Sequence, residues 1–210
     1  MPTDFLASFT FIAIGGESGS DKVLKEDIQK GLTSADNQRA IDILKSSGIS
    51  PSMTFMVGNP NENIDDVLET VMFLIKNKVT VNPFICTPYP GTKIFMDNQD
   101  FILEQYDERL SILNKNPNPK ISQEQIKKMK DETLQKFLLS LNNATDYSCT
   151  VSKNFDFADL IAIKHFMHLC DTDKLLKLAH MRGWSHQKKW DEICPVCKAE
   201  NEIALTTTIS

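Results

Sequence analysis

No stretch of this 210-residue chain approaches the roughly 20 consecutive apolar residues that a membrane-crossing helix needs, and no basic start leads into an apolar signal region. Cysteine is scarce and odd in number. Of five residues, Cys86, Cys149 and Cys170 stand alone, so reduced thiols are expected rather than a disulfide framework. Together these absences read as a cytosolic chain. Positive charge is also short: 23 Lys and Arg stand against 28 Asp and Glu, a formal net charge of −5, which argues against a polyanion-binding surface as the main business of the chain. The GxGxxG spacing and the Lys-Ser/Thr ending of a phosphate loop are both missing. What remains, 41% apolar and 24% charged residues, is the make-up of an ordinary globular chain able to build a sizeable core.

The first hundred residues alternate short β-rich runs with helical patterns, and the remainder reads as helical before ending in a cysteine pair. Phe9 to Ile14 is a continuous apolar run stopped by Gly15 and Gly16, the pattern of a strand buried on both faces. Thr33, with Asp36 three residues on, signals a helix start; Ala40, Ile41, Ile43 and Leu44 form its apolar stripe and Gly48 its end. Ser52 to Val57 repeats the buried-strand pattern up to Gly58. Asn63 then caps a second helix, with Asp65 and Asp66 at its positive start and Val67, Leu68, Val71, Leu74 and Ile75 as the buried stripe. Val79 to Cys86 is a third strand, followed by the proline-rich loop Thr87 to Thr92. Connections of this length predict parallel pairing with right-handed crossovers. Three strands cannot close a barrel and would leave two sheet edges unpaired. Further on, Ser122 reads as the cap of a helix after the break at Asn116 to Pro119, and Phe155 to Ala179 as two amphipathic helices joined near Cys170 to Asp173. The expected division is 1–98 for the strand-helix region, 99–183 for a helical extension and 184–210 for the tail.

Ligands of parallel α/β folds gather at the carboxyl ends of the strands. Three polar, glycine-bearing loops fall there: Gly15 to Asp21, Gly58 to Glu62, and Thr87 to Thr92. Taken in order, FIAIGGESGSDKVLKEDIQKG (11–31), TSADNQRAIDILKSSGI (33–49), TFMVGNPNE (54–62) and TPYPGT (87–92) resemble the C-terminal half of the catalytic barrel of radical SAM enzymes. The match is closest to members associated with a cobalamin-binding domain and less close to the methylthiotransferases. The resemblance spans about residues 9 to 95. It implies an α/β fold, the C-terminal half of a partial (β/α)6 barrel followed by a mainly helical extension. S-adenosylmethionine would bind at the strand ends and a 4Fe-4S cluster would cleave it reductively. By the same resemblance Glu17 is the ribose-hydroxyl ligand, Ser18 and Ser20 shape its loop, and Lys30 pairs with the methionine carboxylate. Met56, just before Gly58, packs on adenine, Thr54 faces the ribose, and Glu62 orders its turn. Arg39, inside a helix, reads as a solvated surface residue.

Two departures stand out. The Cys-x-x-x-Cys-x-x-Cys loop that holds the cluster occurs nowhere in the sequence. In the family it lies upstream of the strand at Phe9, so the expectation is the downstream half of such an enzyme, inactive until joined by a half, or a separate chain, that carries the CxxxCxxC loop. Asn59 and Asn61 also replace an apolar residue and a glycine, and Gly16 replaces an aliphatic residue, relative to the family pattern.

Cys194 and Cys197 form a CxxC pair that resembles a zinc knuckle; the alternative is a redox or unligated pair. Two further ligands would have to come from His186, His180, Cys170, His168 or His165. His165 and His168 lie one helical turn apart, which suits a metal or simply a polar helix edge. Trp184 and Trp190 among Arg182, Lys188 and Lys189 offer stacking surfaces, a thin argument for nucleic acid in an acidic chain. The rival to the enzyme reading is a non-catalytic binding or assembly module that keeps the half-barrel shape and a zinc knuckle.

Overall fold

The computed structural model describes residues 11–104, 150–186 and Trp190, together with Asn114–Lys115, Lys128, Glu132 and Thr145–Asp146. The chain divides into two compact units, Met1–Ile85 with Asp159–Ser210, and Cys86–Ala158. The first unit holds a three-stranded parallel sheet of β1 (Phe11–Glu17), β2 (Ser50–Val57) and β3 (Thr80–Ile85), in that spatial order. Between β1 and β2 come a short helix α1 (Asp21–Val23), which runs on into a π-helical turn (Leu24–Ile28), and then α2 (Ser34–Ser46); α3 (Ile64–Asn77) joins β2 to β3.

Both crossover helices begin with reciprocal caps. Thr33 Oγ1 accepts from Asp36 N while Asp36 accepts from Thr33 N, and Asn63 and Asp66 repeat the exchange at the start of α3. Each satisfies two backbone N–H groups that a helix start would otherwise leave unpaired. At the end of α2, Gly48 takes φ 72° and Ile49 N returns to Leu44 O, the left-handed ending that glycine allows.

The two helices cover the same face of the sheet. Leu44 of α2 and Ile49 pack with Ile12 and Ile14 of β1, and Phe73 of α3 meets the ring of Phe55 on β2. Met53, Phe55, Val57, Val67, Leu68, Val71 and Leu74 are fully or almost fully buried there. The opposite face is open over much of its area: Phe11 is 59% and Phe84 47% exposed and Ala13, Gly15 and Asn82 are exposed, while Thr54 and Met56 are half-buried and Ser52 is buried. The first strand is thus not buried on both faces as its apolar run suggests: Phe11, Ala13 and Gly15 stay exposed on that side. Nor does it stop at Gly15; it continues through Gly16 to Glu17. Ile43, counted in the apolar stripe of α2, is 50% exposed, because the stripe turns through Ile41 and Leu44 instead.

The same unit contains α7 (Thr172–Arg182), which contacts α3, and most of α6 (Phe157–His168). Asp171 caps α7 by accepting from Lys174 N at 3.0 Å, and Gly183 ends it at φ 67°. The second unit contains α4 (Lys93–Asp97), α5 (Gln99–Glu104) and a two-residue antiparallel pair, β4 (Asn114–Lys115) with β5 (Thr145–Asp146). The helix expected after Ser122 lies outside the described residues. No described helix is long and apolar enough to cross a membrane.

Candidate functional site

The register of β1 on β2 slips between Gly15 and Glu17, leaving Gly16 as a bulge. Bulges re-aim the side chains that follow them. Here a Cβ on Gly16 would sit 2.6 Å from Met53 Cε and 3.0 Å from Phe55 Cζ, so the β2 side chains occupy the space an ordinary residue would need. Glu17 follows at φ 63°, and Ser18 N–H bonds to Gly16 O at 2.8 Å, closing a three-residue turn with Glu17 at its apex. A left-handed backbone costs a residue with a Cβ about 1–2 kcal/mol, so this turn must be held from outside.

The holding groups come from the two crossover helices. Asn37 Nδ2 on α2 donates to Gly16 O at 2.8 Å and to Ser18 O at 3.2 Å. On α3, the Thr70 hydroxyl meets Ser18 Oγ at 3.2 Å and accepts from Gly19 N at 2.9 Å, and Asp66 Oδ1 accepts from Ser20 Oγ at 2.8 Å. Gly19 lies against the helix itself: a Cβ there would be 2.7 Å from Thr70 Cα. Ser18 and Ser20 are fully buried and anchor the loop. Asn37, Asp66 and Thr70 are missed as site-building residues by sequence reasoning, since each sits in an ordinary helical pattern and its loop partner is 19 to 52 residues away.

With the loop fixed, the Glu17 carboxylate turns back over Gly15. A Cβ on Gly15 would lie 2.9 Å from Glu17 Oε1, so the carboxylate takes up space a side chain at 15 would need, and Thr54 Oγ1, 3.9 Å from the same point, places its hydroxyl at this end of the sheet too. Glu17 Oε1 also forms an ion pair with Lys30 Nζ. Lys30 reaches it from a turn between Gln29 at φ 54° and Gly31 at φ 67°, directly after the π-helical turn. Thr54 Oγ1 donates to Ile14 O at 3.4 Å. Three residues expected from the sequence, Glu17, Lys30 and Thr54, are therefore assembled at the carboxyl end of β1 and β2. Met56 follows Thr54 on the same open face, opposite Phe84 in the register.

The second loop has a different construction. Gly58 takes φ 88°, and a Cβ there would be 2.8 Å from Leu160 Cδ1. Glu62 Oε2 accepts from Gly58 N at 2.7 Å, Asn59 N at 3.1 Å and Asn59 Nδ2 at 3.2 Å. Burial pushes the Glu62 carboxyl up to about 7, against those hydrogen bonds, which favour its charged form. Asn61 bonds through Nδ2 to Asp27 Oδ1 at 2.8 Å, and its carbonyl accepts from Lys22 Nζ at 3.1 Å. The two asparagines that depart from the family pattern are thus both built into the turn. The Gly58 N–H is directed at Glu62, so Gly58 contributes its backbone shape.

In the second unit, Thr92 accepts from Phe95 N at 3.4 Å and caps α4, closing the third loop. Arg39 is exposed and pairs with Asp36 at 2.6 Å. His165 and His168 are exposed, and no group of three metal-ligating side chains occurs among the described residues. Cys194, Cys197, Lys188 and Lys189 lie outside the described residues. Trp190 is buried and donates from Nε1 to Asp65 Oδ1 at 2.6 Å, while Arg182 pairs with Asp159 at 2.7 Å, so both are committed to the fold. A groove of about 660 Å³ lined by Asp21, Lys22, Glu69, Met72, Phe73 and Trp190 contains none of the residues expected to bind ligand.

No family model matches the chain. It is 34% identical over 85 residues to an uncharacterized methyltransferase of Pyrococcus horikoshii, a match covering 40% of this chain and 18% of that protein. It is 35% identical over 85 residues to a putative methylthiotransferase of Methanocaldococcus jannaschii, covering 40% of this chain and 19% of that protein. The chain thus matches less than a fifth of the length of these curated relatives.

Proposed function

We propose that the chain binds S-adenosylmethionine at the carboxyl end of its parallel sheet, as one part of a radical SAM enzyme whose iron-sulfur ligands lie outside this sequence. The observation that carries the reading is the convergence of the Glu17 carboxylate, the Lys30 ammonium and the Thr54 hydroxyl at one end of a largely open sheet face. Their chemistry fits the cofactor. A carboxylate accepts from two vicinal ribose hydroxyls, an ammonium pairs with an amino-acid carboxylate, and the apolar Met56 offers a surface for a purine. Glu17 and Lys30 neutralise each other; a ligand carrying both hydroxyls and a carboxylate satisfies each separately. The names of the two partial relatives, a methyltransferase and a methylthiotransferase, are in keeping with this cofactor.

Helix placement supports the further reading of the sheet as a sector of a parallel barrel. A doubly wound sheet carries helices on both faces, whereas here α2 and α3 cover one and leave the other free to face a barrel interior. The exposed Phe11, Ala13 and Phe84 would be enclosed when strands bearing the CxxxCxxC loop complete the wall. When bound beside a reduced cluster, the cofactor supplies a carbon-centred radical for hydrogen abstraction. The task of this chain is to orient the nucleoside and the methionine end, and to exclude water from them.

The test is a titration of the full chain, followed by ligand-observed NMR, with S-adenosylmethionine and separately with 5'-deoxyadenosine, which lacks the amino-acid part. Both bind the parent chain, and Glu17→Ala weakens both. Lys30→Ala weakens only S-adenosylmethionine. A folded parent chain that binds neither compound overturns the proposal.

A further inference from the structure

We infer that Asn37 is a positioning residue that locks Glu17 in its left-handed turn and thereby aims the Glu17 carboxylate. This rests on the reading of Glu17 as a ligand-binding group. The argument is geometric. In an extended strand, carbonyls two residues apart point the same way but are separated by two residue rises, roughly 6.6 Å. A single nitrogen 2.8 Å from Gly16 O and 3.2 Å from Ser18 O cannot bridge oxygens that far apart, so the Asn37 amide makes both bonds only when the chain is folded at Glu17. Those carbonyls belong to the two neighbours of Glu17, and the left-handed φ of 63° is what draws them together.

The remaining restraints act differently. Thr70 and Asp66 hold Ser18, Gly19 and Ser20, which fixes where the loop goes after the turn, and the Ser18 N–H bond to Gly16 O at 2.8 Å closes the turn without tying it to the rest of the fold. Asn37 straddles the apex. It is 3% exposed and stands on α2, whose start is fixed by the Thr33–Asp36 exchange and by Asp21 Oδ1 accepting from Ser34 N at 2.6 Å. The amide is therefore presented from a rigid support, which is what a group that must impose an unfavourable conformation requires.

The experiment uses the full isotopically labelled chain and two variants. Asn37→Asp keeps the shape but replaces the donor by an oxygen facing two carbonyls, and Asn37→Ala removes the group; circular dichroism checks that each folds. In the parent chain the Glu17 Cα shift and amide-to-α-proton coupling have left-handed values. In either folded variant they move to extended values, and S-adenosylmethionine binds roughly tenfold more weakly, the effect of losing about one hydrogen bond of orientation. A folded variant whose Glu17 signals stay in place overturns the inference, and so does loss of folding in both variants, which would make Asn37 a core residue and nothing more. If the parent chain binds no nucleoside while Asn37→Asp still moves the Glu17 signals, the ligand reading fails and the positioning role stands.

Discussion

Two glutamates lie in the first two strand-to-helix loops of this sheet, and they do opposite work. Glu62 points inward: it is 1% exposed, and one of its oxygens gathers the backbone N–H groups of Gly58 and Asn59. Glu17 is also largely buried, but Asn37 and Thr70 hold the backbone beside it while its carboxylate pairs with the half-exposed Lys30 side chain. One carboxylate is consumed by the turn; the other is delivered by it. Residue type and flanking glycines do not distinguish the two cases. What distinguishes them is whether the chain leaves N–H groups for the carboxylate to satisfy.

The buried Glu62 also gives the fold a pH dependence. Burial raises the Glu62 carboxyl from 4.5 to about 7, so between those values the folded chain binds a proton that the unfolded chain has released. Stability contributed by the neutral acid is therefore complete below about pH 4.5 and is lost as pH rises through 7, a fall of roughly 3 kcal/mol. Denaturant unfolding of the parent and of Glu62→Gln across this window checks it: the Gln variant shows a flatter profile by that amount. Next in size, Glu62→Ala at pH 5 orphans the Gly58 and Asn59 N–H groups and destabilises the chain by about 2 kcal/mol, whereas Glu17→Ala stays within about 1 kcal/mol of the parent. Equal losses at the two positions would break the comparison. Smallest, and of reversed sign, is Glu17→Gly. Glycine adopts φ 63° without strain, so thermal unfolding of this variant is expected to show a gain of about 1 kcal/mol together with loss of nucleoside binding.

Local rules carried most of the helical boundaries. Thr33 with Asp36, and Asn63 with Asp66, are caps that a reader can find because donor and acceptor are three residues apart, and Gly48 ends α2 as its position suggests. The first strand escapes local rules at its end because Gly16 packs against Met53 and Phe55, residues on another strand. Its burial was misjudged because an apolar run encodes what the strand tolerates on each face, not whether a neighbour is there. Glu17, Lys30 and Thr54 are singled out in the sequence by ordered loops that resemble a known family, and the structure brings these three side chains close together. Their supports are not singled out. An asparagine in the first turn of a helix looks like many others until the carbonyls it reaches are known.

The turn at Glu17 also bears on how the chain changes over generations. At most positions, drift toward a sturdier fold and upkeep of the task pull the same way or are indifferent to each other. At position 17 they oppose, since the sturdier residue is one without a side chain. A lineage freed from its chemistry should abandon the acid there early, and one still at work should keep it, which turns a single codon into a record of whether the carboxylate is in use.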